Sequence, residues 1–199
     1  PENSKGTTSC SLEARKRNKD FERYLNGRGI DIGGGYDTLT VESGTVDVWD
    51  VQQGDATHMR GAATDYDFVY SSHCLEHILD VEVALDNWCR ILKPGGHLFF
   101  AVPDFDLYEK RLWPSRFNHD HKSTFSITRS REEIGRPTHY NIRDDIVPVL
   151  KKHGVTVLEI RLEDDNYDRS PPDTVDQTAY PHHAQAQIVV VGRKKKGRK

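Results

Sequence analysis

Short apolar runs separated by polar turns make up most of this chain. Runs of β-branched and aromatic residues predict strands at Val46–Trp49, Asp67–Ser71 and His97–Val102. A further strand is predicted at Arg28–Ile32, directly before three glycines, and a very short one around Gln53–Ala56. Segments with helical spacing alternate with these strands.

Three helices are predicted from that spacing. In Leu12–Asn26 the positions i, i+3 and i+4 are Phe21, Tyr24 and Leu25. Asp80 is a suitable N-cap for a second helix. Its periodic apolar residues are Val81, Ala84, Leu85, Trp88 and Leu92. The sequence LKPGG ends this helix, because proline cannot continue it and glycine accepts left-handed backbone. A third helix covers Arg143–His153, with a late start or a kink at Pro148.

The last two predicted strands are Val155–Arg161 and Gln185–Gly192, joined by a long polar loop. Because no crossover helix separates them, they are expected to be antiparallel. Strands and helices that alternate before such a pair predict an α/β fold. We expect a doubly wound, Rossmann-like sheet, mostly parallel with an antiparallel C-terminal strand.

Charge is distributed unevenly along the 199 residues. The net charge is −3, yet the last seven residues include six basic side chains, so the rest of the chain is more acidic than the total suggests. An acidic body is a poor binder of a phosphate backbone, which argues against nucleic acid as a partner. The mean hydropathy of −0.73 indicates polar ends or a long polar loop.

The same pattern predicts one domain with polar additions. We expect a disordered N-terminus over residues 1–11, a single domain over 12–192 and a basic tail over 193–199. Within the domain, residues 103–140 form a polar insertion. There is neither an apolar run long enough for a membrane helix nor a visible signal peptide, and the three cysteines lack metal-site spacing, so a cytoplasmic location is expected.

The sequence GIDIGGGYD carries the first candidate chemistry. A strand that runs into Gly33, Gly34 and Gly35 makes a turn whose backbone N–H groups can face a ligand. The dinucleotide fingerprint fails, because its third glycine is replaced by Thr38. Asp31, just before the loop, suits a ligand with a positive amino group. A plain strand-to-helix turn is the alternative.

Two further aspartates follow at informative places. Asp50 comes directly after the second strand, where a carboxylate can accept both hydroxyls of a ribose, and Asp47 is its mid-strand rival. Asp55 and the adjacent Ala56 amide could contact an adenine edge. Each aspartate could instead be an ordinary turn residue.

The ordered series DIGGG, GDA, SSHCLEH and LKPGG resembles class I S-adenosylmethionine-dependent methyltransferases, in particular the type 11 family, over Arg28–Val102. A weaker similarity, through WPSRFNHDHKSTFS and the closing VVVGRKKK, is to bacterial members of sugar and polysaccharide pathways. The resemblance implies S-adenosylmethionine as the cofactor. It places the methionine part at Asp31 and the glycine loop, the ribose at Asp50 and the adenine at Asp55 and Ala56. Ser72 and His73 would then line the sulfonium side.

The sequence differs from the usual pattern of this methyltransferase family at two places. Asp37 replaces the usual last glycine of the loop, and the segment from Gly35 to Asp55 is short, so the helix after the first strand must be abbreviated.

The acceptor side is expected within 103–140, which the fold brings over the carboxyl ends of the strands. Methyl transfer to a hydroxyl needs a base, and His119 or His121 is the candidate, with Asp104 in reserve. A platform for a sugar or aromatic ring would come from Tyr108, Trp113 and Phe117. A polar surface loop is the alternative.

The expected function is methyl transfer to a hydroxyl oxygen or amine nitrogen of a small molecule or glycan. Three alternatives remain: a nicotinamide-dependent oxidoreductase, a non-catalytic scaffold of the same fold, and a nucleic-acid methyltransferase guided by the basic tail. The histidine pairs at 119/121 and 182/183 lack an assured third ligand, so no metal is expected.

Overall fold

The computed structural model describes residues 6–59, 64–179 and 181–196. Its strands are β1 (Gly27–Ile32), β2 (Gly44–Trp49), β3 (Tyr66–Ser72), β4 (Leu92–Pro103), β5 (Thr124–Ser126), β6 (His139–Asn141), β7 (Val155–Glu163) and β8 (Gln187–Lys194). Six form the main sheet, in the order β2-β1-β3-β4-β8-β7. β1 to β4 pair in parallel, and β8 is antiparallel to both β4 and β7. This confirms the predicted fold class. β5 and β6 form a separate parallel pair.

Short helices cover the two faces of the sheet. They are α1 (Thr7–Cys10), α2 (Leu12–Arg17), α3 (Asp20–Arg23), α4 (Val81–Ile91), α5 (Arg131–Ile134) and α6 (Val147–Lys152). A 3-10 turn at Leu75–His77 and a π turn at Ile142–Ile146 precede α4 and α6. Throughout residues 6–59, 64–179 and 181–196, no helix combines the length and apolarity needed to cross a bilayer.

The core has two layers because strand side chains alternate between the faces. Val69 joins the layer that contains Trp88 and the other buried side chains of α4. Phe68 and Tyr70, its neighbours on β3, join the layer that contains Tyr24 and Leu25. Each large apolar side chain buried in this way contributes roughly 1.5–3 kcal/mol to stability.

The carboxyl ends of the parallel strands meet at one edge of the sheet. Ile32 at the end of β1 lies beside Ser71 of β3, and Ser72 lies beside Ala101 of β4. The antiparallel β8 begins at this same edge, with Gln187 opposite Pro103. Ligands of open α/β sheets bind at such an edge.

The helix predicted over Leu12–Asn26 is broken. Lys19 adopts φ 57° and separates α2 from α3. The turn allows Asp20, fully buried, to reach Arg15, whose guanidinium is also buried and forms two hydrogen bonds with Glu163 of β7. A buried charge needs such partners, so the ion network overrides the helical periodicity.

Two other predictions need correction or refinement. The short strand expected around Gln53–Ala56 is a turn, in which the Asp50 carbonyl accepts the N–H groups of Gln53 and Gly54. The helix expected over Arg143–His153 begins with the π turn, and Pro148 lies in the first turn of α6, where its missing N–H costs least. The segment after β1 contains turns and no helix between Gly33 and Ser43.

Both predicted termini are partly ordered. Residues 1–5 and 197–199 lie outside the described residues, but α1 is helical where disorder was expected. Arg193 and Lys194, assigned to the basic tail, belong to β8. The Lys194 ammonium donates to the carbonyls of Cys89 and Leu92 at the end of α4, where a cation satisfies unpaired C=O groups.

Candidate active site

The glycine loop follows β1 and has backbone angles that favour glycine. Gly33 has φ 79° and Gly35 has φ 53°, both left-handed. A Cβ at Gly33 would lie 2.6 Å from the Cβ of Cys74, and the Gly33 N–H donates to the Trp49 carbonyl at 2.8 Å. The loop is therefore held between β2 and the turn after β3.

Asp31 lies at the end of β1 and is fully buried. One carboxylate oxygen accepts the Leu39 N–H at 2.7 Å, whereas Oδ1 has no hydrogen-bond partner among the described residues. Burial raises the pKa of Asp31 to about 7, and the Leu39 N–H acts in the opposite direction. Asp31 does not border the cavity that opens at the carboxyl ends of the strands. Its carboxylate lies next to Gly34, where an added Cβ would be 2.6 Å from Oδ2 of Asp31.

A cavity of about 480 Å³ opens at the carboxyl ends of the strands. Seven of the predicted site residues border it: Gly33, Gly34, Gly35, Ser72, His73, Tyr108 and His121. Residues of α1 and the segment 184–187, which ends at the first residue of β8, form another part of the wall. Cofactor-side and acceptor-side candidates therefore share one space.

Eight predicted site residues do not border this cavity: Asp31, Asp50, Asp55, Ala56, Asp104, Trp113, Phe117 and His119. Asp50 still lies beside the glycine loop, because its Oδ2 is 3.6 Å from the position of a Cβ at Gly35. The rival Asp47 accepts hydrogen bonds from Arg28 and Tyr66 instead. Of the two, Asp50 is the one beside the loop.

Asp55 and Ala56 form a local turn. The Asp55 carboxylate accepts the backbone N–H and the hydroxyl of Thr57, both at 2.7 Å, and these bonds lower the pKa of Asp55. The Ala56 carbonyl accepts the indole N–H of Trp88 at 3.1 Å. These bonds support the alternative that Asp55 is an ordinary turn residue. The contact of Asp55 and Ala56 with an adenine stays a prediction.

His121 is brought to the cavity and His119 is not. The His121 side chain is buried, and its Nδ1 lies 2.7 Å from Oε1 of the buried Glu109. With the Nδ1 proton donated to that carboxylate, Nε2 carries a lone pair, which can accept a proton or bind a metal. His119 is exposed.

The predicted aromatic platform is only partly assembled. Tyr108 borders the cavity, packs edge-on against Phe117 at 5.8 Å between ring centroids and lies 5.4 Å from the His121 ring. The Arg136 guanidinium covers one face of Trp113 at 3.6 Å. That face of Trp113 is therefore closed to an acceptor ring.

Asp104 organises the chain after β4. Its buried carboxylate accepts the N–H groups of Asp106 and Leu107, and burial raises its pKa to about 6. These bonds shape the turn that carries Tyr108 toward the cavity. The predicted contact of Asp104 with an acceptor stays untested.

Residues 11–134, more than half of the chain, match the family model described as a methyltransferase domain. The chain belongs to this methyltransferase family. Membership confirms the predicted resemblance to class I methyltransferases, the enzyme class and S-adenosylmethionine as the cofactor of the class.

Individual proteins that resemble this chain match it either over a short segment or at low sequence identity. The human mitochondrial ubiquinone biosynthesis O-methyltransferase is 42% identical over 40 residues, which are 20% of this chain and 11% of that protein. YcgJ from Bacillus subtilis has a TM-score of 0.56 at 12% identity, covering 92% of this chain and 100% of its own. An S-adenosylmethionine-dependent methyltransferase from Mesorhizobium loti has a TM-score of 0.54 at 13% identity, covering 93% and 98%. The two structures show the shared fold.

The residues at the loop of this methyltransferase fit the cofactor. Gly33 and Gly35 leave the backbone open to a ligand, and the buried carboxylate of Asp31, whose Oδ1 has no hydrogen-bond partner among the described residues, lies next to Gly34. Asp50 is beside the loop where a ribose hydroxyl is expected. Asp37, which replaces the usual last glycine of the loop, makes a contact with α1: its carboxylate accepts the N–H of Ser9 at 2.8 Å.

Sequence reasoning missed several residues of the cavity. Oε1 of Gln187 accepts a 2.7 Å hydrogen bond from Nε2 of His73, and Glu76 borders the cavity beside them. Glu109 was missed as well. Glu76 stands three residues after His73 in the SSHCLEH motif, which is a usable signal, but nothing in a polar loop marks Glu109 as the partner of His121.

Proposed function

We propose that this methyltransferase transfers the methyl group of S-adenosylmethionine to a hydroxyl oxygen or amine nitrogen of a small molecule or glycan. The observation that supports this is the shared cavity, in which the glycine loop and Ser72 face Tyr108 and His121. Methyl transfer is an in-line displacement, so a protein accelerates it mainly by aligning acceptor, methyl carbon and sulfur in one dry space.

The cofactor supplies the activated methyl group, and this chain supplies its position. Backbone groups of Gly33–Gly35 and the carboxylate of Asp31 would hold the methionine part. Asp50 would accept the ribose hydroxyls, and Asp55 with Ala56 would contact the adenine. Ser72 and His73 would border the sulfonium.

Residues 103–140 would cover the acceptor. Tyr108 and His121 come from this insertion and border the cavity. His121 would take the acceptor proton through its Nε2 lone pair, because Glu109 occupies Nδ1. An acceptor that offers an apolar face would lie against Tyr108, which Phe117 supports. A cytoplasmic location and a place in polysaccharide biosynthesis belong to the same proposal.

Calorimetry with S-adenosylhomocysteine tests the cofactor half. We expect saturable binding by the wild type and a loss on the order of 1–3 kcal/mol for Asp50→Ala, because charge-assisted hydrogen bonds to the ribose disappear. Asp47→Ala is the matched control, since Asp47 lies on β2, three residues before Asp50, but bonds to Arg28 and Tyr66. Equal affinities in Asp50→Ala and wild type would contradict the assignment.

The acceptor half needs a product assay. Formation of S-adenosylhomocysteine from S-adenosylmethionine, measured across a panel of sugar, phenol and amine acceptors, should identify a class that gives turnover. A titration of NADH fluorescence in parallel tests the oxidoreductase alternative. Saturable NADH binding without any methyl transfer would overturn the proposal.

A further inference from the structure

Two imidazoles and a carboxylate converge at the acceptor side of the cavity. Glu76 and His77 lie on the 3-10 turn after β3, and His121 comes from the 103–140 insertion. One possible ligand atom from each of the three lies within 4.8 Å of the others, and His121 Nε2 is 3.9 Å from Oε1 of Glu76. Atoms bound to one metal ion lie roughly 3–3.5 Å apart when each bond is ~2.1 Å, so a contraction of about 1 Å would close the site.

Glu76 is a buried carboxylate whose oxygen atoms are available to bind a cation. Its side chain is 1% exposed, and neither carboxylate oxygen has a hydrogen-bond partner within the part of the chain that the structure describes. The closest imidazole nitrogen is Nδ1 of His73, at 3.4 Å from Oε1. A buried carboxylate without hydrogen bonds is destabilising. A cation bound at this point would offset that cost.

Two further carboxylates, one beside His77 and one beside His121, orient the imidazole rings for such a cation. Glu109 holds Nδ1 of His121 at 2.7 Å, and Asp120 lies 3.1 Å from Nδ1 of His77. A histidine that binds metal through one nitrogen commonly donates the other N–H to a carboxylate, which fixes the tautomer and the ring orientation. The same arrangement here leaves Nε2 of each ring for the ion.

Backbone hydrogen bonds hold the two halves of the cluster together. The carbonyl of Glu76 accepts the N–H groups of Lys122 at 2.7 Å and Ser123 at 2.9 Å, and the Ser123 hydroxyl donates to the Ile78 carbonyl at 2.9 Å. His121 is therefore fixed beside Glu76 by its immediate neighbours. A histidine acting only as a base would require neither this attachment nor a second imidazole.

We propose that Glu76, His77 and His121 bind one divalent transition-metal ion, with Zn²⁺ as the reference ion. Two imidazoles and one carboxylate form a donor set typical of catalytic zinc, which leaves a coordination position open for substrate. This site revises the expectation that no metal is present and replaces the direct proton transfer to His121.

The chemical role of the ion rests on the proposed methyl transfer. A metal-bound hydroxyl is more acidic, so the acceptor releases its proton to solvent at neutral pH. The acceptor oxygen then forms a bond to the methyl carbon. The carbon–sulfur bond breaks with its electron pair on sulfur, which yields neutral S-adenosylhomocysteine. No further reactant is needed.

Metal binding is measured on the full chain without an affinity tag. After dialysis against EDTA, Zn²⁺ is titrated by calorimetry, and Co²⁺ serves as a probe because its visible absorption reports the coordination geometry. We expect about one Zn²⁺ per chain and a tetrahedral Co²⁺ spectrum. Glu76→Gln and His121→Ala should each weaken binding at least ~10-fold, and Glu109→Gln should weaken it ~10–100-fold.

The exposed His119→Ala is the matched control, because it removes a histidine from the same loop and should leave Zn²⁺ affinity unchanged. If a variant at Glu76 or His121 fails to fold, His77→Asn at the cavity rim replaces it. Zn²⁺ should also raise the melting temperature of the wild type but not of Glu76→Gln. Absence of binding by the wild type, or equal affinity in Glu76→Gln, overturns the site.

The metal site and the methyltransferase function can fail separately. Zn²⁺ titration needs neither cofactor nor acceptor, and calorimetry with S-adenosylhomocysteine needs no metal. Cofactor binding without Zn²⁺ binding would refute the metal site alone. Zn²⁺ binding without cofactor binding would refute the proposed function and leave the site standing.

Discussion

Asp31 is a carboxyl group whose surroundings favour its neutral form. Burial raises its pKa to about 7 from an ordinary value of 3.8, with smaller contributions from Asp37 and Asp50. Between these two pH values the unfolded chain has lost the proton and the folded chain retains it. The free energy of unfolding therefore decreases as pH rises from about 4 to about 7.

Asp31→Asn should remove this contribution, because the amide keeps an acceptor for Leu39 and does not titrate. Denaturation in urea at a series of pH values checks the difference between wild type and variant. Subtracting the variant is necessary because the pKa of Asp104, also raised by burial to about 6, falls in the same window. Identical pH profiles for the two proteins would refute the raised pKa.

His119 and His121 are two positions apart but lie in different environments. His121 is buried and borders the cavity, whereas His119 is exposed and does not. His121→Ala should lower turnover by at least ~100-fold, because the variant loses the group that activates the acceptor, whether His121 acts as the base or as a ligand of the proposed metal ion. His119→Ala should leave turnover close to wild type, because its side chain is exposed and outside the cavity. Steady-state kinetics with the acceptor found in the panel makes the comparison. A similar loss in both variants would show that the loop acts as a unit.

Among the elements, α2, α3 and β7 are joined by a buried ion network. Glu163 accepts two hydrogen bonds from Arg15 at 2.7 and 2.8 Å and one from Arg161 at 3.0 Å. Glu163→Ala should lower the free energy of unfolding by about 3–5 kcal/mol, because it leaves a buried guanidinium without its main partner. Lys16→Ala, which removes the exposed pair with Glu13, should change it by less than about 1 kcal/mol. Urea denaturation measures both, and similar values would refute the role of the network.

At the level of the whole molecule, local patterns predicted the fold better than the site. The six strands of the main sheet and α4 were predictable because apolar periodicity and the Asp80 cap act within one element, whereas β5 and β6 were not predicted. The break at Lys19 was not, because it serves a contact between Arg15 and Glu163, 148 residues apart. The glycine loop followed from a local motif. Glu109 and the pairing of Glu76 with His121 depend on how the 103–140 loop folds back, which no local spacing encodes.

The position of β8 has a consequence for biosynthesis. This strand is translated after every other described strand, yet it lies between β4 and β7 in the sheet. Until it emerges from the ribosome, the nascent chain presents the apolar edge of β4 without a neighbour, which is the kind of edge that templates aggregation. Gln187, at the first position of β8, reaches His73 only at that late stage. The His73–Gln187 hydrogen bond and the part of the cavity wall formed by residues 184–187 are therefore completed only when β8 closes the sheet.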